Sequence, residues 1–360
     1  IITGQRLDKS KKSFFLRFFL SLSSGIILFY AFPPFTAGYL AFFGFIPLFA
    51  SSKEDSGSNF FFGTIAGFVF YSLSFFWLYR LAGFFYLLLS LYLSLYWGLF
   101  LYLLYKLPSN GRIFTGMFIW FFLEIIVSYL LTGFPWLLLG LSQWHEPYML
   151  KTAGFCGIYG VSCLVILINL TIFHAFRRKY FLSFLLSIVI FVAIFILPLE
   201  KTQKMICSGT LKVMVVQPNI VSEENKQPEE IFELLRKLTI QNLKGSNTVL
   251  VVWPEGSFPD IFERYPSLVR KMRDLSHRYS LNILMGTFCP AQEGVYNSAV
   301  MFNNSLLQVY NKNHLVPYGE FILGGRYAVI NNIFKKTAGY LPNVNPGKQQ
   351  KVFDVNGKKI

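Results

Sequence analysis

The sequence predicts a multi-pass α-helical membrane domain over residues 1–200, followed by a layered α/β domain over residues 201–360. Three observations carry that expectation. The 360 residues are 54% hydrophobic and only 14% charged, too apolar for an ordinary soluble chain. Apolar windows of about 20 residues, the length a helix needs to span the hydrocarbon core, recur through the first 200 residues. Beyond Glu200 they give way to short β-like runs alternating with amphipathic helices.

About seven crossings are expected, at 14–31, 35–50, 60–79, 82–105, 113–131, 153–173 and 181–197. The second window is short and follows Pro33-Pro34, which breaks any helix, so the first two windows form a tight hairpin. Orientation follows from basic residues in short loops. Arg6, Lys9, Lys11 and Lys12 precede the first window, Lys53 follows the second, Lys106 and Arg112 flank the loop before the fifth, and Arg177, Arg178 and Lys179 follow the sixth. Seven crossings put all of these in the cytoplasm and everything after Glu200 on the opposite face, the periplasm of a two-membrane bacterium. Arg80 and Lys151 are the minority on the outer side. The chain opens at Ile1 with no methionine and no cleavable signal pattern, so its first helix is expected to act as an uncleaved signal-anchor.

Between the fifth and sixth windows, Gly133, Pro135, Trp136 and Trp144 suit a loop at headgroup level, where indole rings are favoured. A plain aromatic belt is the simpler reading. Glu124, inside the fifth window, is costly in hydrocarbon and so a functional candidate, although pairing with a polar group of a neighbouring helix accounts for it more simply. His174 needs no more than an interfacial role. The net charge of +15 is spread over loops, and the second half holds many acids, so nucleic-acid binding is not expected. Cys156, Cys163, Cys207 and Cys289 show no metal spacing, and His145, His277 and His314 form no ligand pattern. Neither metal nor cofactor is expected, and a pairing of Cys207 with Cys289 stays open.

In the second half, 211–217 is a strand, and Pro228 opens a helix with Ile231, Leu234, Leu235 and Leu238 on one face. Residues 248–253 form a strand buried on both faces. Pro266 opens a second helix with Leu268, Met272 and Leu275 inward, and 281–286 is a third buried strand. Residues 296–302 and 306–310 make a hairpin around Asn303-Asn304. Finally 352–355 is a strand, Asn356-Gly357 a two-residue turn, and 358–360 the start of a return strand. A chain that stops there is expected to be a fragment, because the return arm would leave backbone groups unpaired.

Glu255 ends the apolar run Val251-Val252-Trp253-Pro254-Glu255, where sheets of parallel type place catalytic groups. Lys312 and Glu320 stand eight residues apart in Tyr310-Asn311-Lys312-Asn313-His314-Leu315-Val316-Pro317-Tyr318-Gly319-Glu320, with Pro317 and Gly319 fixing an irregular backbone between them. Two carboxylates and a lysine leaving strand ends suggest a general base, an oxyanion stabiliser and a supporting acid. A solvated surface is the bland alternative for each of the three taken singly.

Taken together, Trp-Pro-Glu at a strand end and Tyr-x-Lys-x-x-Leu-Val-Pro-Tyr-Gly-Glu resemble the nitrilase-type module of apolipoprotein N-acyltransferases. Gly133-Phe134-Pro135-Trp136, the Gly140-x-Ser142-Gln143 that follows, and residues 157–162 are similar to what that family carries in its membrane half. The resemblance covers nearly the whole chain. It implies an α-β-β-α sandwich, here incomplete at its C-terminus, above a lipid-facing platform in the inner membrane. It implies Glu255 as base, Lys312 as oxyanion holder and Glu320 as its partner. The implied reaction moves a fatty acyl chain from a membrane phospholipid to the α-amino group of the diacylglyceryl-cysteine of an apolipoprotein, through a thioester, with the enzyme a monomer. The superfamily nucleophile is a cysteine after the return strand, commonly in Cys-Tyr-Glu, and is expected beyond Ile360. Cys289 precedes Lys312, the wrong order for the family, so the 360 residues alone are expected to be inactive. The region 219–228 lacks the tryptophan the family often carries there, with Lys226 nearby. A membrane-tethered C–N hydrolase or amidase, and a catalytically inactive membrane scaffold, remain as alternatives.

Overall fold

The apolar run that ends before Pro33-Pro34 forms the first helix, α1 (Ile2–Tyr30), of the computed structural model. The structure describes residues 2–176, 185, 189, 210–220 and 227–360, apart from 55, 109–110, 131–132, 244–246, 304–306, 317–318, 323–330, 333–334 and 336–342. The chain divides into two units, Ile1–Lys201 and Thr202–Ile360.

In the first unit, α1 is followed by α2 (Ile46–Ser51), α3 (Ser58–Ser74), α4 (Tyr79–Ala82), α5 (Tyr86–Lys106), α6 (Arg112–Tyr129) and α7 (Pro147–Phe176). Among the described residues, four stretches are long and apolar enough to cross a membrane: Ser13–Tyr30, Gly83–Lys106, Arg112–Tyr129 and Pro147–Phe176. The 17 residues of α3 reach about 26 Å at 1.5 Å per residue, close to that length. The seventh window, 181–197, lies outside the described residues except at Leu185 and Val189, as do Arg177, Arg178 and Lys179.

The second window differs from expectation. It is not one helix but a 3-10 turn, Gly38–Phe42, then α2. Gly44 lies where a Cβ would come 2.5 Å from the Leu28 side chain, so the chain leans on α1 at that point in a way a side chain would prevent. The segment still returns along α1. Ser24 Oγ donates to Gly44 O, while Arg17, about two turns from Ser24 toward the N-terminus, donates to Ser51 O, to Ser58 Oγ at 2.9 Å and to Asn59 Oδ1 at 3.1 Å. The start of α3 therefore sits at the level of Arg17. Its guanidinium also stacks over Phe62, 4.0 Å from the ring centroid. Arg112, at the start of α6, makes a two-pronged 2.8 Å ion pair with Glu54, which puts that helix start at the same end.

The segment between the fifth and sixth windows is irregular, as expected of a loop. After Gly133 the chain runs through a 3-10 turn, Leu139–Gln143, before α7. Ser142 and Gln143 are buried, with Gln143 Nε2 donating to Gly38 O at 2.8 Å, whereas Trp136, Leu141 and Trp144 are exposed. Helix α7 begins earlier than the sixth window suggests and kinks at Gly157, where φ is 65°.

The second unit is built on a five-stranded sheet of β1 (Val213–Val215), β2 (Leu250–Val252), β3 (Asn282–Pro290), β4 (Val295–Phe302) and β5 (Leu307–Asn311), in sequential order. The β1–β2 and β2–β3 pairs are parallel, joined through α8 (Pro228–Leu243) and α9 (Pro266–Tyr279); β3–β4 and β4–β5 are antiparallel. Strand alternation separates the two faces. Val251, Ile283 and Met285 pack against Phe232, Leu235, Leu268 and Met272 of the helices, while Leu250 and Met301 face the other way. Each fully buried aliphatic side chain of this kind contributes about 1.5–3 kcal/mol.

On that other face Phe353 and Val355 pack against Leu250 and Met301. They belong to the hairpin of β6 (Asp354–Val355) and β7 (Lys358–Lys359). Asn356 and Gly357 turn it with φ of 53° and 81°, the positive pair that a type I′ turn requires. A second full sheet, as in the implied sandwich, is not among the described residues.

Candidate active site

Strand β2 pairs with β3 until Trp253 N donates to Leu284 O at 2.8 Å. Pro254 has no N–H with which to continue the ladder, so the chain bends across β3. Gly286 N donates to Pro254 O at 3.2 Å and Phe258 N to Gly286 O at 3.1 Å. A Cβ on Gly286 would lie 2.6 Å from Glu255 Cα and 2.8 Å from Pro254 O. Only glycine admits so close a crossing. Trp253 anchors the bend from the core side, its Nε1 donating to Thr239 Oγ1 at 3.0 Å.

Lys312 follows β5, and its main chain is held on both sides. Its N–H donates to Asn297 O and its carbonyl accepts from Gly347 N, both at 2.8 Å. Glu320 returns through a short loop that it closes itself, since Glu320 N donates to Val316 O at 2.9 Å and Glu320 Oε2 accepts from Val316 N at 2.7 Å. Pro317 and Tyr318 of that loop lie outside the described residues.

These three elements bring Glu255, Lys312 and Glu320 together. Lys312 Nζ is 3.0 Å from Glu255 Oε1 and 3.2 and 3.1 Å from the two oxygens of Glu320. Glu255 is 66% exposed, Lys312 27% and Glu320 14%, so one carboxylate stands at the mouth of the site and the other at its base. A fourth residue joins them. Asn297 Nδ2 donates to Glu255 Oε1 at 2.7 Å and to Glu320 Oε1 at 2.6 Å. Sequence reasoning passed over Asn297 as part of a strand; the available signal was an asparagine in the interior of a β run, where that residue is depleted.

The electrostatics follow from these contacts. The Lys312 and Asn297 hydrogen bonds hold the Glu255 carboxyl below the usual carboxylate range, against a smaller opposing effect of burial. Burial pulls the Lys312 ammonium down, but the bonds to Glu255 and Glu320 outweigh it and raise its pKa. The resting site is therefore an ion-paired cluster at neutral pH. Among the described residues, Glu255 Oε2 takes no hydrogen bond and stays available as a proton acceptor. An ammonium has three N–H donors. With two committed to carboxylates, one is left for a developing negative oxygen.

Cys289 does not join this cluster. It pairs with Tyr296 in the β3–β4 register, one residue out of step with Asn297, so it faces the helix side of the sheet, where it is buried in the core. Burial raises its thiol pKa, so the thiolate is disfavoured. Cys207 lies outside the described residues. Among the described residues no three His, Cys, Asp or Glu side chains converge as a metal site would require.

Comparison with known proteins accounts for both units. Residues 24–171 match the family described as apolipoprotein N-acyltransferase N-terminal domain, and residues 212–360 match the carbon-nitrogen hydrolase family. The chain thus joins a domain of the apolipoprotein N-acyltransferase N-terminal type to one of the carbon-nitrogen hydrolase type. It is 24% identical to the apolipoprotein N-acyltransferase of Geobacter metallireducens over 95% of this chain and 71% of that protein. With the Aquifex aeolicus protein of the same description it shares 29% identity over 72% of this chain and 58% of the relative; with that of Wigglesworthia glossinidia brevipalpis, 28% over 66% and 49%. The chain thus spans about half to 71% of the length of these relatives. Glu255, Lys312, Glu320 and Asn297 sit in the carbon-nitrogen hydrolase half, and the four membrane-length helices found among the described residues lie within or overlap the N-terminal match.

Proposed function

We propose that this protein transfers a fatty acyl chain from a membrane phospholipid to the α-amino group of a diacylglyceryl-cysteine at the N-terminus of an apolipoprotein. Lys312 held between two carboxylates, with one of its donors uncommitted, is the observation that supports this reading. Glu255, through Oε2, takes the proton of a cysteine thiol, and the thiolate attacks the ester carbonyl carbon. Lys312 Nζ–H stabilises the oxyanion, with Glu320 and Asn297 fixing its position. Collapse breaks the ester C–O bond, Glu255 returns the proton to the leaving alkoxide, and lysophospholipid departs from a thioester. The acceptor amine then attacks the thioester, Glu255 takes its proton, and the thiolate leaves as the amide forms. The thiol is none of the described cysteines.

The reading places residues 1–200 in the inner membrane with seven crossings and residues 201–360 in the periplasm, on a monomer. Supporting it, the broken second segment returns to the level of Arg17, and Glu54 and Arg112 share that end with Lys53, as the positive-inside bias requires.

The test uses the protein in membranes with an acyl-labelled phospholipid and a diacylglyceryl peptide. Ping-pong kinetics are expected, with transfer lost in Lys312→Met and not rescued by Lys312→Arg, whose fork cannot replace a point ammonium. Sequential kinetics, or hydrolysis of soluble amides in preference to phospholipid, would overturn the reading in favour of an amidase.

A further inference from the structure

In the first half of α1, Arg17 carries a charge that no described residue answers. Its side chain is 8% exposed, buried but not sealed. The guanidinium donates to Ser51 O, to Ser58 Oγ at 2.9 Å and to Asn59 Oδ1 at 3.1 Å, and it lies 4.0 Å from the Phe62 ring centroid. Every one of those partners is neutral. A guanidinium has five N–H donors, so among the described residues two are left without an acceptor. Glu54, the described carboxylate at that end, is held two-pronged by Arg112 at 2.8 Å. The other described carboxylates of the first unit are elsewhere, since Glu124 accepts from Leu139 N and Glu146 directly precedes α7. A buried charge is ordinarily matched by an opposite one, because neutral hydrogen bonds return only part of the hydration it has lost.

The surroundings say which anion fits. Arg17 lies four residues inside the membrane-length stretch that begins at Ser13, about 6 Å deep at 1.5 Å per residue. That is the boundary between headgroups and acyl chains. On the polar side are Ser56 and Ser58, with hydroxyls 2.7 Å apart, and the exposed Lys53, whose main-chain N–H donates to the same Asn59 Oδ1 at 3.0 Å. On the apolar side Phe14, one turn before Arg17 on the same face, stacks on Phe61 with centroids 6.3 Å apart, and both rings are exposed. A soluble anion would use the cations and hydroxyls alone. A phosphodiester carrying acyl chains would use the bare rings as well, and basic pockets between membrane helices are places where anionic headgroups settle.

We infer that Arg17, flanked by Ser58 and Lys53, holds the phosphate of an anionic phospholipid in the leaflet at that end of the bundle. Its two uncommitted N–H groups donate to the phosphate oxygens, and the acyl chains lie along Phe14 and Phe61. The same guanidinium ties α1 to Ser51 of α2 and to the start of α3, so the lipid braces the broken second segment from outside. The site is separate from the acyl-transfer cluster, which belongs to the second unit.

The test is solid-state NMR of the full-length protein, with isotopically labelled arginine, in vesicles of phosphatidylglycerol diluted into a phosphorus-free glycolipid and in phosphate-free buffer. The Arg17 guanidinium signal, assigned by its loss in Arg17→Lys, should be dephased by phosphorus at an N···P distance of about 4 Å, as a phosphate oxygen accepting at about 2.8 Å requires. No dephasing would overturn the inference. A second arm replaces the phosphatidylglycerol with inorganic phosphate in the buffer. Equal dephasing there would mean a free-anion site and would overturn the lipid assignment. Thermal unfolding gives an independent reading, because a ligand that binds only the folded state raises the midpoint. Phosphatidylglycerol should raise the wild-type midpoint above its value in phosphatidylcholine, and this gap should narrow in Arg17→Gln; an equal gap in the variant would sink the proposal.

Discussion

Replacing Gly286 by alanine tests whether the crossing of two backbones sets the position of Glu255. The added Cβ would lie 2.6 Å from Glu255 Cα, and the nearby obstacles at 2.8 Å, Gly256 N and Pro254 O, are also main chain. No flexible side chain can step aside. Ordinary contact begins at 3.4 Å, so the bend must retreat by about 0.8 Å, comparable with the misplacement of about 1 Å that can cost a hundredfold in rate. A retreat of that size takes the 3.0 Å bond from Lys312 to Glu255 out of hydrogen-bond range. The expected result is a fall in kcat/KM of about 30- to 100-fold, accompanied by a loss of about 1–3 kcal/mol from overpacking. Acyl transfer in membranes reads the first effect and thermal unfolding the second. Gly154→Ala is the control, because nothing lies within 4 Å of the Cβ it would add. Wild-type kcat/KM in Gly286→Ala would refute the reasoning, since the bend would then have no bearing on Glu255.

Asn297→Ala removes the shared donor to Glu255 and Glu320 and should cost about 1–2 kcal/mol of transition-state stabilisation, a 5- to 30-fold fall in kcat/KM with an intact fold by circular dichroism; an unchanged rate would remove Asn297 from the site. The ion pair has a predictable pH window. Because the Glu255 pKa is lowered in the folded state, its contribution is fully present above the ordinary carboxylate range and is lost as pH falls through the lowered value. Because the Lys312 pKa is raised, its contribution is present below the ordinary lysine range and is lost as pH rises through the raised value. NMR titration of the Glu255 carboxyl in wild type and Lys312→Met should show the midpoint rise in the variant, and an unmoved midpoint would deny the pairing. Phe353→Ala should cost about 3 kcal/mol by emptying the contact between the β6–β7 hairpin and the sheet, seen as faster proteolysis at the hairpin; unchanged cleavage would show that this face does not depend on it.

The three charged residues were legible because their surroundings are unusual in sequence. A proline directly after an apolar strand, and a Pro-x-Gly between a lysine and a glutamate, announce backbone that aims side chains out of regular structure. Asn297 announces nothing of the kind. Its importance comes from the β3–β4 register, which places it beside Phe288 and within reach of both acids, and register is a tertiary property. The membrane half was legible as hydropathy but not as geometry. Residues 35–50 are apolar enough for a span, yet composition cannot separate a helix in lipid from a broken segment buried among helices, and Gly44 against Leu28 decides for the latter. The start of α7 at Pro147, six residues before the expected window, and its kink at Gly157 were not legible in hydropathy, because the polar residues between 147 and 152 lower it there.

One amide nitrogen serves both acids of the cluster, and this yokes them mechanically. Glu255 and Glu320 cannot spread to admit a bulkier group without first surrendering the bonds of Asn297, so the interior of the site is stiff by construction. Whatever tolerance the site has for bound groups of different shape must therefore reside at the solvent-facing rim, where Glu255 is most open, and not in the spacing of its charges.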